Sequence, residues 1–106
     1  MSDNDRRQLR EYIESDDKRR YVITHGTDTM AETGSALEGI DDRVIVLTGA
    51  LSPARFRSTD AVFNIGMAVA AVQTAAAGVY LAMSGQIFEA SAVRKNRVEN
   101  RFERTD

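Results

Sequence analysis

Three runs of consecutive apolar residues, each closed by small polar ones, punctuate the chain: Tyr21–Thr24, Arg43–Leu47 and Gly78–Met83. Continuous Val/Ile/Leu runs of this length predict strands covered on both faces. Between them the spacing turns helical. Leu9, Tyr12 and Ile13 share one face of a predicted helix over 4–15, opened by the cap-type residues Ser2, Asp3, Asn4 and Asp5. The charged stretch 15–20 then reads as a solvated connection. Met30, Thr33 and Leu37 share one side of a second helix over 28–38, with Gly34 inside it and Gly39 at its end. A third helix should start after Asp60 and run to about Ala76, with Phe63, Met67, Ala70 and Thr74 on one face. Before it lies a loop holding the only proline, Pro53.

After the third strand, Ser84-Gly85 is a two-residue turn signal, and Gln86–Phe88 can pair back as a hairpin arm. The charged tail predicts a partly helical segment over 93–102. Strand, helix, strand, helix, strand then predicts an α/β domain. It is a three-layer arrangement with a mainly parallel sheet, a βαβαβ core and a C-terminal hairpin. The third helix is rich in Ala and Gly, so its backbone can approach a neighbour closely, and a symmetric contact between two copies is one use for it.

At 106 residues and 42% hydrophobic content, the chain suits one domain. A net charge of −2 advertises neither nucleic acid nor an anionic membrane. There is no cysteine and one histidine, which excludes disulfides, thiolate chemistry and Cys- or His-rich metal sites within one chain. No apolar run is long enough to span a bilayer, and the first residues are charged, so the expectation is a cytoplasmic protein.

The chemistry gathers where the strands end. In an open α/β sheet the carboxyl ends of parallel strands share one rim, where ligands bind. Here that rim carries Thr24-His25-Gly26-Thr27-Asp28, Thr48-Gly49-Ala50 and, after the hairpin, Lys95. A threonine hydroxyl becomes a nucleophile when a base takes its proton, and a lysine can be that base. A carboxylate can orient the lysine or hold a substrate amine. A helix start beside Thr27 would favour developing negative charge. Attack on an amide carbonyl is the chemistry these groups suit. The plainer reading of the same residues is loop and cap, with Lys95 part of a solvated basic patch and His25 a positioning residue. No G-x-G-x-x-G follows a strand, so a dinucleotide site has no support.

The segment Ile23-Thr24-His25-Gly26-Thr27-Asp28-Thr29-Met30-Ala31-Glu32-Thr33 resembles a signature of the bacterial-type L-asparaginases. Val46 through Pro53 resembles the next motif of that family. Ser58 through Asn64 resembles a third, with Ala61 in place of a glycine. Gly78–Met83 followed by Val93-Arg94-Lys95 resembles the strand and lysine segment beyond it, and the likeness is to the short single-domain asparaginase-like proteins. The resemblance implies an amidohydrolase that converts L-asparagine to aspartate and ammonia without metal or cofactor. By matching position it implies Thr27, Lys95 and Asp28 as a Thr–Lys–Asp set. Asp28 would also bind the substrate's α-amino group, and Gly26, Thr27, Thr48, Gly49 and Ala50 would shape the substrate pocket.

The family's opening strand, TGGTI, with its own threonine nucleophile, does not occur in these 106 residues. The expectation is therefore a chain shortened at its N-terminus, with an open sheet edge and reduced stability. Two further readings stand beside the hydrolase. One is a non-catalytic module of the same fold that binds a small amino acid or a partner. The other is a nucleic-acid binder using Arg94, Lys95, Arg97, Arg101 and Arg104, disfavoured by the acids interspersed among them. A homo-oligomer is expected, with a small amide as substrate, and neither nucleic acid nor membrane as partner.

Overall fold

Ile13, the face of α1 (Asp3–Ser15) that meets the core, is fully buried, whereas Tyr12 turns to solvent, so the apolar face of this helix is narrower than its sequence spacing implies. The computed structural model describes residues 1–51 and 60–105, and the proline loop expected over 51–59 lies, apart from Leu51, outside them. Ser2 and Asp5 close a reciprocal capping box at the start of α1.

The remaining elements are β1 (Arg20–Thr24), α2 (Met30–Ala36), β2 (Val44–Thr48), α3 (Ala61–Thr74), β3 (Gly78–Met83), β4 (Gln86–Glu89), one 3-10 turn (Ala90–Ala92), β5 (Val93–Asn96) and β6 (Arg101–Arg104). The first four strands form one sheet in the order β1-β2-β3-β4. The pairs β1–β2 and β2–β3 are parallel, with Thr24 opposite Thr48 and Thr48 opposite Ala82, so all three strands end on one rim. β4 returns antiparallel through Ser84 (φ 55°) and Gly85 (φ 73°), the two positive-φ positions of a tight hairpin turn.

Two layers of side chains cover this sheet. On one side Ile13, Met30, Leu37, Ile45, Leu47, Leu81 and Phe88 pack with Val93 and Phe102 from the C-terminal hairpin. On the other, Val44, Val46 and Ala82 receive Ala68, Ala71 and Val72 of α3. The mixed α/β architecture with its mainly parallel sheet is the one expected from the sequence.

Four local expectations change. β2 is buried throughout, but β1 is the sheet's edge strand and alternates exposed with half-buried positions, so its apolar run is not covered on both faces. α2 starts at Met30, not Asp28, and ends at Ala36, where Leu37 and Glu38 bond back three residues to Gly34 and Ser35. Met30, Thr33 and Leu37 are nevertheless all buried, as their spacing requires. α3 buries Asn64, Ala68, Ala71 and Val72 rather than the face carrying Phe63, Met67, Ala70 and Thr74. Its small residues face the sheet and allow close approach, which turns Phe63 outward.

The last change is the tail. Residues 93–104 form an antiparallel β-hairpin rather than a helix, with Lys95 opposite Phe102 and Arg94 opposite Glu103. The reason is a period of two. Val93 and Phe102 point inward and are buried, while Arg94 pairs with Glu103 on the outside. Asn100, at φ 52°, turns the chain between the two strands.

Candidate functional site

The loop after β1 leaves the sheet at Thr24 and is tied down at once, with the His25 amide donating to the Thr48 carbonyl at 2.9 Å. The His25 ring spans the loop. Nδ1–H donates to the Gly26 carbonyl at 2.6 Å, and Nε2 accepts from the Thr33 hydroxyl at 2.9 Å. Because a carbonyl only accepts, this pairing places a proton on Nδ1. Arg6 of α1 donates through Nε to the same Thr33 oxygen at 2.9 Å. The loop is thus braced from two helices.

Gly49 closes it from below. A Cβ there would collide with the His25 carbonyl oxygen and stand 3.1 Å from Met30 Cε, so the two strand ends meet only across a glycine. The buried Asn64 side chain holds this level of the structure by donating to the Gly49 carbonyl at 2.9 Å and the Asp60 carboxylate at 3.1 Å.

Thr27 and Asp28 stand on the loop's crest. Lys95 reaches them from β5, with Nζ donating to Thr27 Oγ1 at 2.8 Å and to Asp28 Oδ1 at 2.8 Å. The lysine side chain is only 12% exposed and the aspartate 77%, so the ammonium is sheltered while the carboxylate opens to solvent. Hydrogen bonding by Lys95, its positive charge and the nearby Arg97 hold the Asp28 carboxyl below its usual range. Arg97 also donates to the Asp28 carbonyl at 3.0 Å.

Two cavities meet at this crest. One, of about 470 Å³, lies between α2 and β5 and is lined by Thr27, Asp28, Glu32, Ser35, Lys95 and Arg97 among others. The other, of about 340 Å³, shares Thr27 and Asp28 with it and is otherwise lined by Met1, Thr24, His25, Gly26 and Thr29.

The structure therefore gathers Thr27, Asp28 and Lys95, with Gly26 beside them. Thr48, Gly49 and Ala50 line neither cavity. The Thr48 hydroxyl donates to the Ala82 carbonyl at 2.9 Å inside the core, and Gly49 supports the loop from behind. Thr27 sits in a turn three residues ahead of α2, not at the helix's first residue. Sequence reasoning passes over Arg6 and Thr33 as a brace and Arg97 as a neighbour of Asp28. The signal for Thr33 is a polar side chain on the inward face of α2. Among the described residues no three His, Asp or Glu side chains stand together as metal ligands, and no helix is long and apolar enough to cross a membrane. Of the tail's cations, Arg94 and Arg101 stand beside Glu103.

A sequence profile described as "Asparaginase, N-terminal" matches residues 1–103, nearly the whole chain. The chain belongs to the asparaginase family. A glutaminase-asparaginase of Acinetobacter glutaminasificans is 37% identical over 94 residues, covering 84% of this chain and 28% of that protein. The glutaminase-asparaginase of Pseudomonas fluorescens biotype A is 34% identical over 94 residues, covering 84% and 26%. L-asparaginase 2 of Escherichia coli (strain K12) is 36% identical over 80 residues, covering 71% and 22%. This asparaginase-family chain spans less than a third of the length of these relatives.

Proposed function

We propose that Thr27, Lys95 and Asp28 form an amide-hydrolysing centre of the asparaginase type, acting on the side-chain amide of L-asparagine. The observation that carries this reading is the sheltered Lys95 Nζ, 2.8 Å from both the Thr27 hydroxyl and the Asp28 carboxylate.

Asp28 is ionised and faces solvent, which suits it to receive the substrate's α-ammonium group. A second cation there loosens the hold of Asp28 on the Lys95 ammonium. In its amine form Lys95 takes the Thr27 proton, and Thr27 Oγ1 attacks the amide carbon. Collapse breaks the C–N bond, Lys95 returns the proton to the departing nitrogen, and ammonia leaves an aspartyl ester on Thr27. Water attacks that ester with Lys95 again taking the proton. Aspartate leaves, and the proton returns to Thr27.

The family membership supports amide chemistry and the geometry supports these three roles. Release of ammonia from L-asparagine by the chain, abolished in Thr27→Ala, is the expected result. Undiminished turnover in that variant overturns the role of Thr27. The exposure of Asp28 favours a second reading, a module that binds a small amino acid without turning it over. Asparagine binding measured by calorimetry with no ammonia released would select it.

A further inference from the structure

The Arg6 side chain on α1 is only 11% exposed, yet its carboxylate partner Asp3 is 97% exposed. An ion pair with so open an acid contributes little. Burying a guanidinium carries a desolvation cost that an apolar side chain would avoid. What the sheltered guanidinium does is donate through Nε to the Thr33 hydroxyl at 2.9 Å.

Thr33 is unusual for a helical threonine. Inside a helix the hydroxyl ordinarily turns to a carbonyl three or four residues back, as Thr74 of α3 does with the Ala70 carbonyl at 2.9 Å. Thr33 directs its hydroxyl to His25 Nε2 instead, at 2.9 Å. A guanidinium only donates, so Arg6 occupies a lone pair of Oγ1 and leaves the hydroxyl hydrogen for an acceptor. His25 Nε2 and the Met1 sulfur, 3.6 Å away, are the acceptors at hand, and the imidazole nitrogen is the nearer and the stronger.

The ring in turn holds Gly26, with Nδ1–H donating to its carbonyl at 2.6 Å. A Cβ at Gly26 would meet nothing within 4 Å beyond its chain neighbours, so packing does not fix this residue, and glycine has the widest choice of backbone angles. The Gly26–Thr27 peptide is planar. The direction of the Gly26 carbonyl therefore sets the direction in which the chain enters Thr27.

We infer that Arg6 is a positioning residue for Thr27, acting through Thr33, His25 and the Gly26 carbonyl. The inference rests on the reading of Thr27 as the attacking group. Asp28 is held separately, by Lys95 on its carboxylate and by Arg97 on its carbonyl. The Arg6 chain therefore bears on attack more than on capture of the substrate's ammonium group.

Kinetics with L-asparagine on the 106-residue chain separate the two. Arg6→Met, at matched circular dichroism, should lower kcat about 10–100-fold while changing KM less than about threefold. Thr33→Val should do the same, and Thr33→Ser, which keeps the hydroxyl, should recover kcat. The double variant Arg6→Met/Thr33→Val should be no slower than either single one, because both break one chain of contacts. Arg7→Met, on the exposed side of α1, should match the wild type. A second readout needs no turnover. His25 is the chain's only histidine, so its Nδ1–H gives a single NMR signal, sheltered from exchange by the Gly26 carbonyl. That signal should persist in Thr33→Ser and vanish in Arg6→Met and Thr33→Val. Unchanged kcat in Arg6→Met, single effects that multiply in the double variant, or a His25 signal indifferent to Arg6→Met overturns the inference and leaves the roles of Thr27 and Lys95 standing. A wild-type chain that releases no ammonia contradicts the hydrolase reading instead, and the His25 signal then decides whether Arg6 governs the loop.

Discussion

The Lys95 Nζ stands 2.8 Å from the Thr27 hydroxyl across 68 positions of sequence. Three structural devices bring the two together. β1 delivers Thr27 to the rim of the sheet, and the His25–Thr33–Arg6 brace fixes the loop. The C-terminal hairpin, anchored by Val93 and Phe102 in the core, carries Lys95 back over that rim. Asp28 completes the contact as the second acceptor of the same ammonium.

Removing that ammonium should be visible in Asp28. Its carboxyl is held below the ordinary value near 3.8, first by hydrogen bonding to Lys95, then by the charges of Lys95 and Arg97. In Lys95→Met the Asp28 titration, followed by carboxyl-carbon NMR, should move up toward 3.8, with Arg97 retaining part of the depression. The sign for stability follows from a folded value below the unfolded one. The pairing stabilises the fold above about pH 3.8 and is lost as pH falls through the lower folded value. An Asp28 titration unchanged by Lys95→Met would contradict the pairing.

Phe102 is the hairpin's anchor, 2% exposed and directly opposite Lys95. Phe102→Ala should cost about 3–5 kcal/mol in urea denaturation, a large part of the stability of a domain this small. Val98→Ala, at the exposed turn of the same hairpin, should change stability by less than about 0.5 kcal/mol. Equal small effects at both positions would mean that the hairpin is not docked on the core.

Gly49→Ala should push the His25 loop off the end of β2, because the new methyl would collide with the His25 carbonyl. A loss of about 1–3 kcal/mol is expected, read from the denaturation midpoint. Gly66→Ala sits in open space on a helix and should instead raise stability by about 0.5–1 kcal/mol. Two substitutions of the same chemistry with opposite signs separate steric closure from helix propensity.

The sheet is legible in the sequence because its strands are continuous apolar runs with polar stops. The rim follows from topology alone, since three parallel strands must end together. Thr27 and Asp28 fall there for that reason. Their partnership with Lys95 is not legible from periodicity, because Arg94-Lys95-Asn96-Arg97 has the composition of a solvated patch. The charged tail hides its period of two behind a turn, so 93–102 reads as partly helical when Val93 and Phe102 are inward residues of adjacent strands. The spacing of α3 points the wrong face at the core, because it assigns the large apolar residues there. The sheet instead takes Ala68, Ala71 and Val72, and sets Val62 and Phe63 outside. Thr48 and Gly49 lie at the predicted rim but serve the core and the loop.

The most direct measurement of the proposed chemistry compares ammonia release from L-asparagine by the wild-type chain and by Lys95→Met, at matched circular dichroism and melting temperature. Lys95 carries the proton in both halves of the proposed reaction, so its loss should lower turnover by about 10²–10⁴-fold with the fold intact. Equal turnover by the two proteins, or none by the wild type, would contradict the proposal that Lys95 and Thr27 hydrolyse an amide.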